Sequence, residues 1–478
     1  MTGETIAALA TGRGAAALAI VRLSGPAAFA VVSARLRPAS PLGVSRAPVG
    51  CVGRIFDAGR AVDQVVVWFY RAPHSYTGED VVEIVCHGGP LAPASILKLL
   101  LRDGARPARP GEFTLRAFLN GKLDLAQAEA VEAMIASRST AAAQAAMRGL
   151  EGGLRQALAP RLDHLTEMLA RIEATLDIQE DGAPDTLSPL WTSDGEATAP
   201  PAAPAILRGL EAERDALARL VQGARAGRSL EEGLRVVIAG RPNAGKSSLF
   251  NALLARDRAI VDADPGTTRD LLEGWVEWDG LPVVLIDTAG LREATAAPEQ
   301  EGVRRARAAL AGATLVVQVV DVTAATPASA RDDAERLGVP RERIVTALHK
   351  WDLGAGPEWN EVRRELGSSG RTPSESPVAS SVVGEPGVEG VRRTLIARLR
   401  EGVGDPEATL LVGERQRDTM TRALEALERA LELVRQGHGG ELVAFELRRA
   451  LDRLGEILGR RVGAEVLEAI FARFCVGK

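Results

Sequence analysis

The chain has 478 residues, 46% hydrophobic and 25% charged, with 58 Lys and Arg against 63 Asp and Glu for a net charge of −5. That length suits about two to four domains of roughly 100 to 200 residues each, and the composition excludes a disordered chain. The negative balance excludes a global basic field for nucleic acid, and three cysteines without C-x-x-C spacing exclude a disulfide framework or a zinc site.

In chain order, the start MTGETIAALA lacks the basic-then-apolar pattern of a leader, and no apolar run approaches about 18 residues, so a cytoplasmic, non-membrane protein is expected. Runs such as LAIVRLSG and QVVVWFY, punctuated by Gly and Pro, predict a compact α+β domain over 1–122. From Leu123 the Ala, Leu, Glu and Arg periodicity predicts long helices of a bundle, over 123–225. Residues 181–204, rich in Pro, Gly, Ser and Thr, break that pattern and read as a mobile loop, with helix resuming near Ile206. Strands LRVVIAG, LPVVLI, ATLVVQVVD and RIVTALHK with helical connections predict a parallel α/β domain over 226–400. Helix returns over 401–478. The expected fold class is α/β plus α+β multidomain, with the α/β domain inserted in a helical bundle.

GRPNAGKSS, Gly240 to Ser248, follows an apolar strand and fits the phosphate-loop pattern. Backbone N–H groups over Asn243, Ala244, Gly245, Lys246, Ser247 and Ser248 would surround phosphates at a helix N-terminus. Lys246 would neutralise the β and γ phosphates and the Ser247 hydroxyl would ligate Mg²⁺. Downstream, VDADPGTTRD brings Asp262, Ala263, Asp264, Pro265, Gly266, Thr267 and Thr268, with Thr268 reaching the metal as a switch residue. DTAG places Asp287 and Thr288 at a strand end, and Ala289 and Gly290 beside the γ-phosphate, in the order of P-loop GTPases.

The guanine-reading pattern Asn-Lys-x-Asp appears as His349, Lys350, Trp351 and Asp352, and the later Ser-Ala-Lys pattern as Ala379, Ser380 and Ser381. Asp352 supplies the carboxylate for guanine N1 and N2. His349 is read as a structural substitute, with a ring nitrogen available for a similar brace. Leu291 stands where many GTPases carry a water-orienting Gln, so hydrolysis needs another positioning group and another charge. Asn243 offers a neutral oxygen for a monovalent cation, whereas Glu299, by spacing alone, is an ordinary solvated charge.

The series GRG at 12–14, VRLSG, GEDVVEIVCHGGP, RPGEFTLRAFLNGKLDLAQAEA, GRPNAGKSSLFNAL, GTTRD, DTAGLREA and a terminal C-x-G-K resembles the MnmE (TrmE) family of bacterial tRNA-modification GTPases over nearly the whole chain. The resemblance implies an N-terminal domain that dimerises and binds 5-formyltetrahydrofolate or 5,10-methylenetetrahydrofolate through Arg22, Glu83, Lys122 and Lys478. It implies K⁺ held by Asn243, Asp262, Asp264 and Thr267, and Mg²⁺ by Ser247 and Thr268. It makes Glu299 the catalytic glutamate and Cys475 a thiol that is either catalytic or structural. The implied activity is K⁺-dependent GTP hydrolysis by a homodimer. With a flavoprotein partner of the GidA/MnmG family, it would add a carboxymethylaminomethyl or aminomethyl group to C5 of the wobble uridine in certain tRNAs. A ribosome-assembly GTPase of the Era or EngA kind shares the nucleotide motifs, but it does not need RPGEFTLRAF or the terminal CVGK.

Overall fold

The computed structural model describes residues 3–12, 14–38, 48–180, 202–255, 273–288, 299–359, 361, 377–384, 386–403, 412–460 and 462–478. They form two compact units. The first comprises Met1–Glu132, Leu150–Arg214 and Arg422–Lys478, the second Ala133–Gly149 and Asp215–Thr421.

The first unit is built on a sheet of β1 (Ile6–Leu9), β2 (Leu18–Ser24), β3 (Leu36–Pro38), β4 (Val49–Asp57), β5 (Arg60–Tyr70), β6 (Val81–His87) and β7 (Arg106–Pro107), in the spatial order β3-β4-β5-β6-β2-β1-β7. All neighbours are antiparallel except β1 and β7. Alternation along β5 shows how the sequence chooses its faces: Val65 and Val67 are buried, whereas Val66 and Trp68 between and beside them are exposed. The buried face packs with α1 (Ala28–Ser33) and α2 (Leu91–Arg102), whose Val32, Ile96 and Leu100 join Val21, Leu23 and Ile84 in one core. Over β1 the opposite face is covered too, where Ile6 and Ala8 pack with Ala108 and with Phe113 of α3 (Glu112–Leu119).

The segment RPGEFTLRAF turns out to carry an interior ion network. Arg106 forks onto Glu112 at 2.6 and 2.8 Å, and Arg116 bridges Glu112 at 3.1 Å and Glu79 at 2.8 Å. Burial pushes the Glu112 carboxyl up, but the Arg106 guanidinium, the Arg109 amide and Arg116 outweigh it and hold it down at about 2.

Helix α4 (Leu125–Ala136) follows, then α5 (Thr140–Leu150) and α6 (Gly153–Glu180). Along α6, Leu158, Leu162, Leu165, Met168 and Ile172 recur at helical spacing and are all buried. Segment 181–201, read as a loop from composition, lies outside the described residues; α7 (Ala202–Glu232) starts by Ala202, four residues before the expected Ile206. The chain closes with α12 (Glu414–Arg435), α13 (Gly440–Ile457), which packs on α6, and α14 (Ala464–Phe471).

The second unit holds β8 (Leu234–Gly240), α8 (Lys246–Ala255), β9 (Glu273–Trp278), β10 (Leu281–Asp287), α9 (Glu299–Ala311), β11 (Leu315–Asp321), α10 (Pro327–Arg336), β12 (Ile344–His349), β13 (Val378–Ala379) and α11 (Glu389–Val403). Its sheet order is β13-β12-β11-β8-β10-β9. Continuous apolar runs in β8, β10 and β11 fit strands covered on both faces. The sheet is not wholly parallel as the strand pattern predicted. EGWVEW forms β9, antiparallel to β10 and joined to it through Asp279 and Gly280, both at positive φ. Helix α5 also departs from the bundle reading of its Ala-rich sequence: Ala141, Ala142 and Ala145 enter the core of this unit beside Val236 and Val283, and the Ala141 amide donates to Gly280 at 3.1 Å. Small side chains let that helix approach the hairpin closely.

Candidate nucleotide site and N-terminal pocket

The phosphate loop leaves β8 at Gly240, where a Cβ would stand 2.4 Å from the Val319 carbonyl, and enters α8 at Lys246. Asn243 takes the left-handed conformation at φ 61° and Gly245 has φ 96°. Lys246 is buried and its Nζ donates to the Arg241 carbonyl at 2.8 Å, which holds the ammonium over the loop. Ser248 is exposed on the first turn of α8 and Ala244 is buried beneath the loop. Ser247 Oγ donates to Asp287 Oδ2 at 2.5 Å, so an alcohol and a carboxylate from two different elements meet in one place. Two hard oxygens so close fit one side of a Mg²⁺ shell, the rest of which phosphate and water oxygens can complete. Thr288 faces the other way, donating to the Ile238 carbonyl at 2.9 Å.

At the base end, β12 delivers His349 and Lys350. Lys350, itself left-handed at φ 60°, ion-pairs with Asp321 at 2.6 Å and donates to the Asn243 carbonyl at 3.0 Å. His349 is buried, with Nδ1 3.1 Å from Ser380 Oγ. Burial pulls its pKa below the ordinary value and Lys350 adds to this against Asp352 and Asp321, so the ring is neutral near pH 7. Trp351 packs at the side of the Val320 and Leu348 core, and its amide donates to the Ser380 carbonyl at 3.2 Å. Asp352 is exposed on the turn that follows. Ala379 sits in β13 opposite Leu348, and Ser381 Oγ accepts from the Val383 and Gly384 amides, bracing the same wall.

Asp262, Ala263, Asp264, Pro265, Gly266, Thr267, Thr268, Ala289, Gly290 and Leu291 lie outside the described residues, as does the Glu299 side chain; Glu299 opens α9. Of the residues expected to hold K⁺, Asn243 alone has a described side chain, and it is exposed at the loop. Among the described residues no cluster of three or more His, Cys, Asp or Glu is arranged to hold a metal, and no helix is long and apolar enough to cross a membrane.

In the first unit a second constellation forms across the sheet. Trp68, Glu83, Arg22 and Ala8 are successive partners on β5, β6, β2 and β1. Arg22 Nε donates to Glu83 Oε1 at 2.8 Å and its Nη2 lies 2.7 Å from the same oxygen. Its guanidinium stands over the rings of Tyr76 and Phe113, 5.4 and 5.7 Å from their centroids. Among the described residues, Glu83 Oε2 accepts from the Tyr70 hydroxyl at a long 3.5 Å and so retains accepting capacity. The sequence reading had Arg22 and Glu83 each facing a ligand; here they first bind each other.

The last residues dock on this pair. Arg22 Nη1 lies 3.4 Å from the Gly477 carbonyl, Pro110 bridges Val476, and the Phe113 amide donates to Lys478 at 3.2 Å. Gly477 has φ 100°, and a Cβ there would stand 2.4 Å from the Leu9 carbonyl, so the turn requires glycine. Burial lowers the Lys478 pKa, Arg22 adds to this, and Glu83 and Cys475 oppose it. Cys475 is exposed at the rim, and its carbonyl accepts from the Lys478 amide at 3.3 Å. Lys122 is engaged elsewhere, donating to the Pro73 carbonyl at 3.1 Å. Tyr70, Tyr76, Phe113 and Asp321 escaped sequence reasoning. Each lies in an ordinary strand, turn or helix, and only its neighbours in space mark it.

A family model described as the MnmE helical domain matches residues 125–475, and one described as the GTP-binding protein TrmE N-terminus matches residues 5–122. The chain is 43% identical to a Symbiobacterium thermophilum protein named tRNA modification GTPase MnmE, over 100% of both chains. Proteins of the same name from Moorella thermoacetica and from Thermotoga sp. strain RQ2 are 39% and 37% identical, over at least 99% of each chain.

Proposed function

The chain belongs to the MnmE family of tRNA modification GTPases and is a GTP hydrolase whose modification substrate is tRNA, and from that premise we propose the fuller activity its sites support. The protein acts as a K⁺- and Mg²⁺-dependent GTPase and a homodimer in the cytoplasm. With a flavoprotein of the GidA/MnmG family, it installs a carboxymethylaminomethyl or aminomethyl group at C5 of the wobble uridine of certain tRNAs.

At the nucleotide site, backbone N–H groups from Asn243 to Ser248 and the buried Lys246 bind the phosphates, and Asp352 accepts from the guanine edge. Ser247, Asp287 and Thr268 would hold Mg²⁺. Asn243, Asp262, Asp264 and Thr267 would hold K⁺, which would supply beside the phosphates the positive charge that an arginine supplies elsewhere. Glu299 orients the attacking water, the role that Leu291 lacks the chemistry to fill.

At the N-terminal site, Glu83 Oε2 and the Arg22 guanidinium would set an acceptor beside a cation, and the Lys478 amine would add a second positive charge. That set fits the amino and ring N–H edge of a pterin together with a carboxylated tail. A bound tetrahydrofolate supplies the one-carbon unit. Exposed Val52, Val66 and Trp68 continue the sheet face beyond Glu83 and supply apolar area for a second copy of the chain. Cys475 at the rim serves as a thiol or as part of the wall. GTP hydrolysis drives a conformational step.

The observation that carries the reading is the docking of residues 475–478 on the Arg22–Glu83 pair, a contact that an Era- or EngA-type switch has no use for. The test is mass spectrometry of tRNA nucleosides from cells lacking the gene, complemented with the native protein or with Cys475→Ser. Loss and restoration of the C5-modified uridines is the expected result, and their persistence without the gene would refute the reading. The Cys475→Ser arm separates chemistry from architecture.

A further inference from the structure

We propose that Arg37 and Arg54, with Phe56 beside them, form a contact site for the phosphate backbone of the tRNA substrate at the β3 edge of the first unit's sheet. The inference rests on the tRNA substrate of the family, and on neither the folate nor the K⁺ reading.

Arg37 on β3 and Arg54 on β4 are directly opposite partners in the antiparallel register, and both are exposed. Like charges so placed repel and cost stability, so folding alone gives no reason for the pair. Among the described residues neither has a carboxylate partner. Asp57, at the end of β4, is held by Arg102 at 2.6 Å and by Arg35 at 3.5 Å, and Asp103 is held by Arg35. Arg60, opposite Asp57 across the hairpin, is exposed as well. This end of the sheet is therefore positively charged, although the chain as a whole carries −5.

The posture of Arg37 suits an anion. Its guanidinium lies over the Phe56 ring on the neighbouring strand, 4.3 Å from the centroid. Stacking holds the guanidinium by its face and leaves the N–H donors at its edge for phosphate oxygens, which they can engage in pairs. A charge on an edge strand also discourages pairing with a foreign sheet, and that accounts for Arg37 by itself. It does not account for Arg54 on the inner strand, or for the ring beneath Arg37. Regularly spaced phosphates match unpaired guanidiniums better than a protein surface of mixed charge does, and tRNA is the polyanion this chain acts on. A local patch also lets an acidic chain hold RNA without a global basic field.

The experiment measures the Kd of the full chain for an unmodified tRNA transcript with a wobble uridine, by fluorescence anisotropy, from about 50 to about 200 mM KCl. Native protein is compared with Arg37→Gln, Arg54→Gln, the double variant, Phe56→Leu and Lys98→Gln. Lys98 is an exposed charge on α2, which covers the other face of the sheet. At low salt the double variant is expected to bind about tenfold more weakly, and its plot of log Kd against log salt should flatten by about 1 to 2, the loss of one or two phosphate contacts. Phe56→Leu should weaken binding about threefold with the slope kept, since the charges remain and only the stacking is lost. Lys98→Gln should stay near native, and GTP hydrolysis without tRNA should be native in every variant. Native affinity and slope in the double variant would overturn the proposal, as would the absence of measurable tRNA binding by the native chain. A loss in Lys98→Gln equal to that of each arginine variant would also overturn it, by reducing the effect to net charge. Unchanged tRNA binding with weakened association of the flavoprotein would give the patch to a protein partner instead. If Phe56→Leu fails to fold, the exposed arginine variants still decide. Failure of the tRNA-modification reading shows separately, as C5-modified uridines that persist in cells lacking the gene.

Discussion

The Nζ of Lys350 donates to the carbonyl of Asn243 at 3.0 Å, and both residues hold left-handed backbone conformations. The end of β12 is thereby tied to the phosphate loop 107 positions earlier in the chain. The tie is charge-assisted and is held from behind by Asp321, whose carboxylate Lys350 and the Thr323 groups keep below its ordinary pKa against the opposing effect of burial.

Lys350→Met keeps the aliphatic stem and removes the charge. GTP affinity should fall about tenfold, corresponding to loss of one charge-assisted hydrogen bond. Equilibrium binding of a fluorescent GTP analogue reads this directly. Unchanged affinity would mean that the loop holds its shape without the tie.

Ser247→Ala removes the hydroxyl that meets Asp287 at 2.5 Å. Half-maximal Mg²⁺ for hydrolysis should rise by about tenfold or more, since the shell loses a fixed oxygen. A Mg²⁺ titration of the rate provides the measurement. An unshifted midpoint would remove Ser247 from the metal site.

The Glu112 network should set a pH limit on the stability of the first unit. The folded Glu112 carboxyl is lowered from an ordinary 4.5 to about 2, so the unfolded chain binds the proton more readily in between. Its stabilisation is fully present above about 4.5 and declines as pH falls toward about 2. Arg116→Met should cost about 3 kcal/mol near neutral pH by leaving a buried carboxylate short of a partner. Urea unfolding at pH 7 and pH 4 tests both statements; an equal deficit for Glu112→Gln at the two pH values would count against the network.

Gly477→Ala introduces a Cβ 2.4 Å from the Leu9 carbonyl at a backbone conformation that suits glycine. The last residues should leave the Arg22–Glu83 pair, with folate binding weakened about tenfold or more and tRNA modification lost. Isothermal titration with 5-formyltetrahydrofolate checks the first outcome and nucleoside mass spectrometry the second. Native-like folate affinity would show that docking is not needed for the ligand.

Hydrolysis should be faster in K⁺ than in Na⁺, and Glu299→Ala should lower kcat by about a hundredfold while nucleotide binding persists. Equal rates in the two salts would sink the cation mechanism. Loss of binding along with rate would make Glu299 structural.

Much of the nucleotide site was legible because its parts are contiguous. A buried strand followed by a glycine loop and a helix start forces a cluster of amides whatever surrounds it, so GRPNAGKSS could be placed from spacing alone. DTAG at the end of β10 and Asp352 after β12 follow the same logic, each a motif that leaves the carboxyl end of a strand. The β9 hairpin strand was missed because EGWVEW is short and carries Gly274 and two glutamates, residue types that weaken a strand signal. The destination of α5 was missed because an Ala-rich helix reads the same whether it packs in a bundle or on a sheet.

What the sequence alone determined is the set of local geometries: the phosphate loop and the strand runs. Tertiary structure alone decided which distant groups meet. Arg22 reaches Gly477 across 455 positions, and Glu83, free by pattern, is paired with Arg22. The ring of His349 comes to rest between Ser380 and Gly245. The reason is physical. Local conformation is set by neighbours a few residues away, whereas long-range contacts are set by which apolar surfaces the whole chain buries together, a sum to which no single segment holds the key.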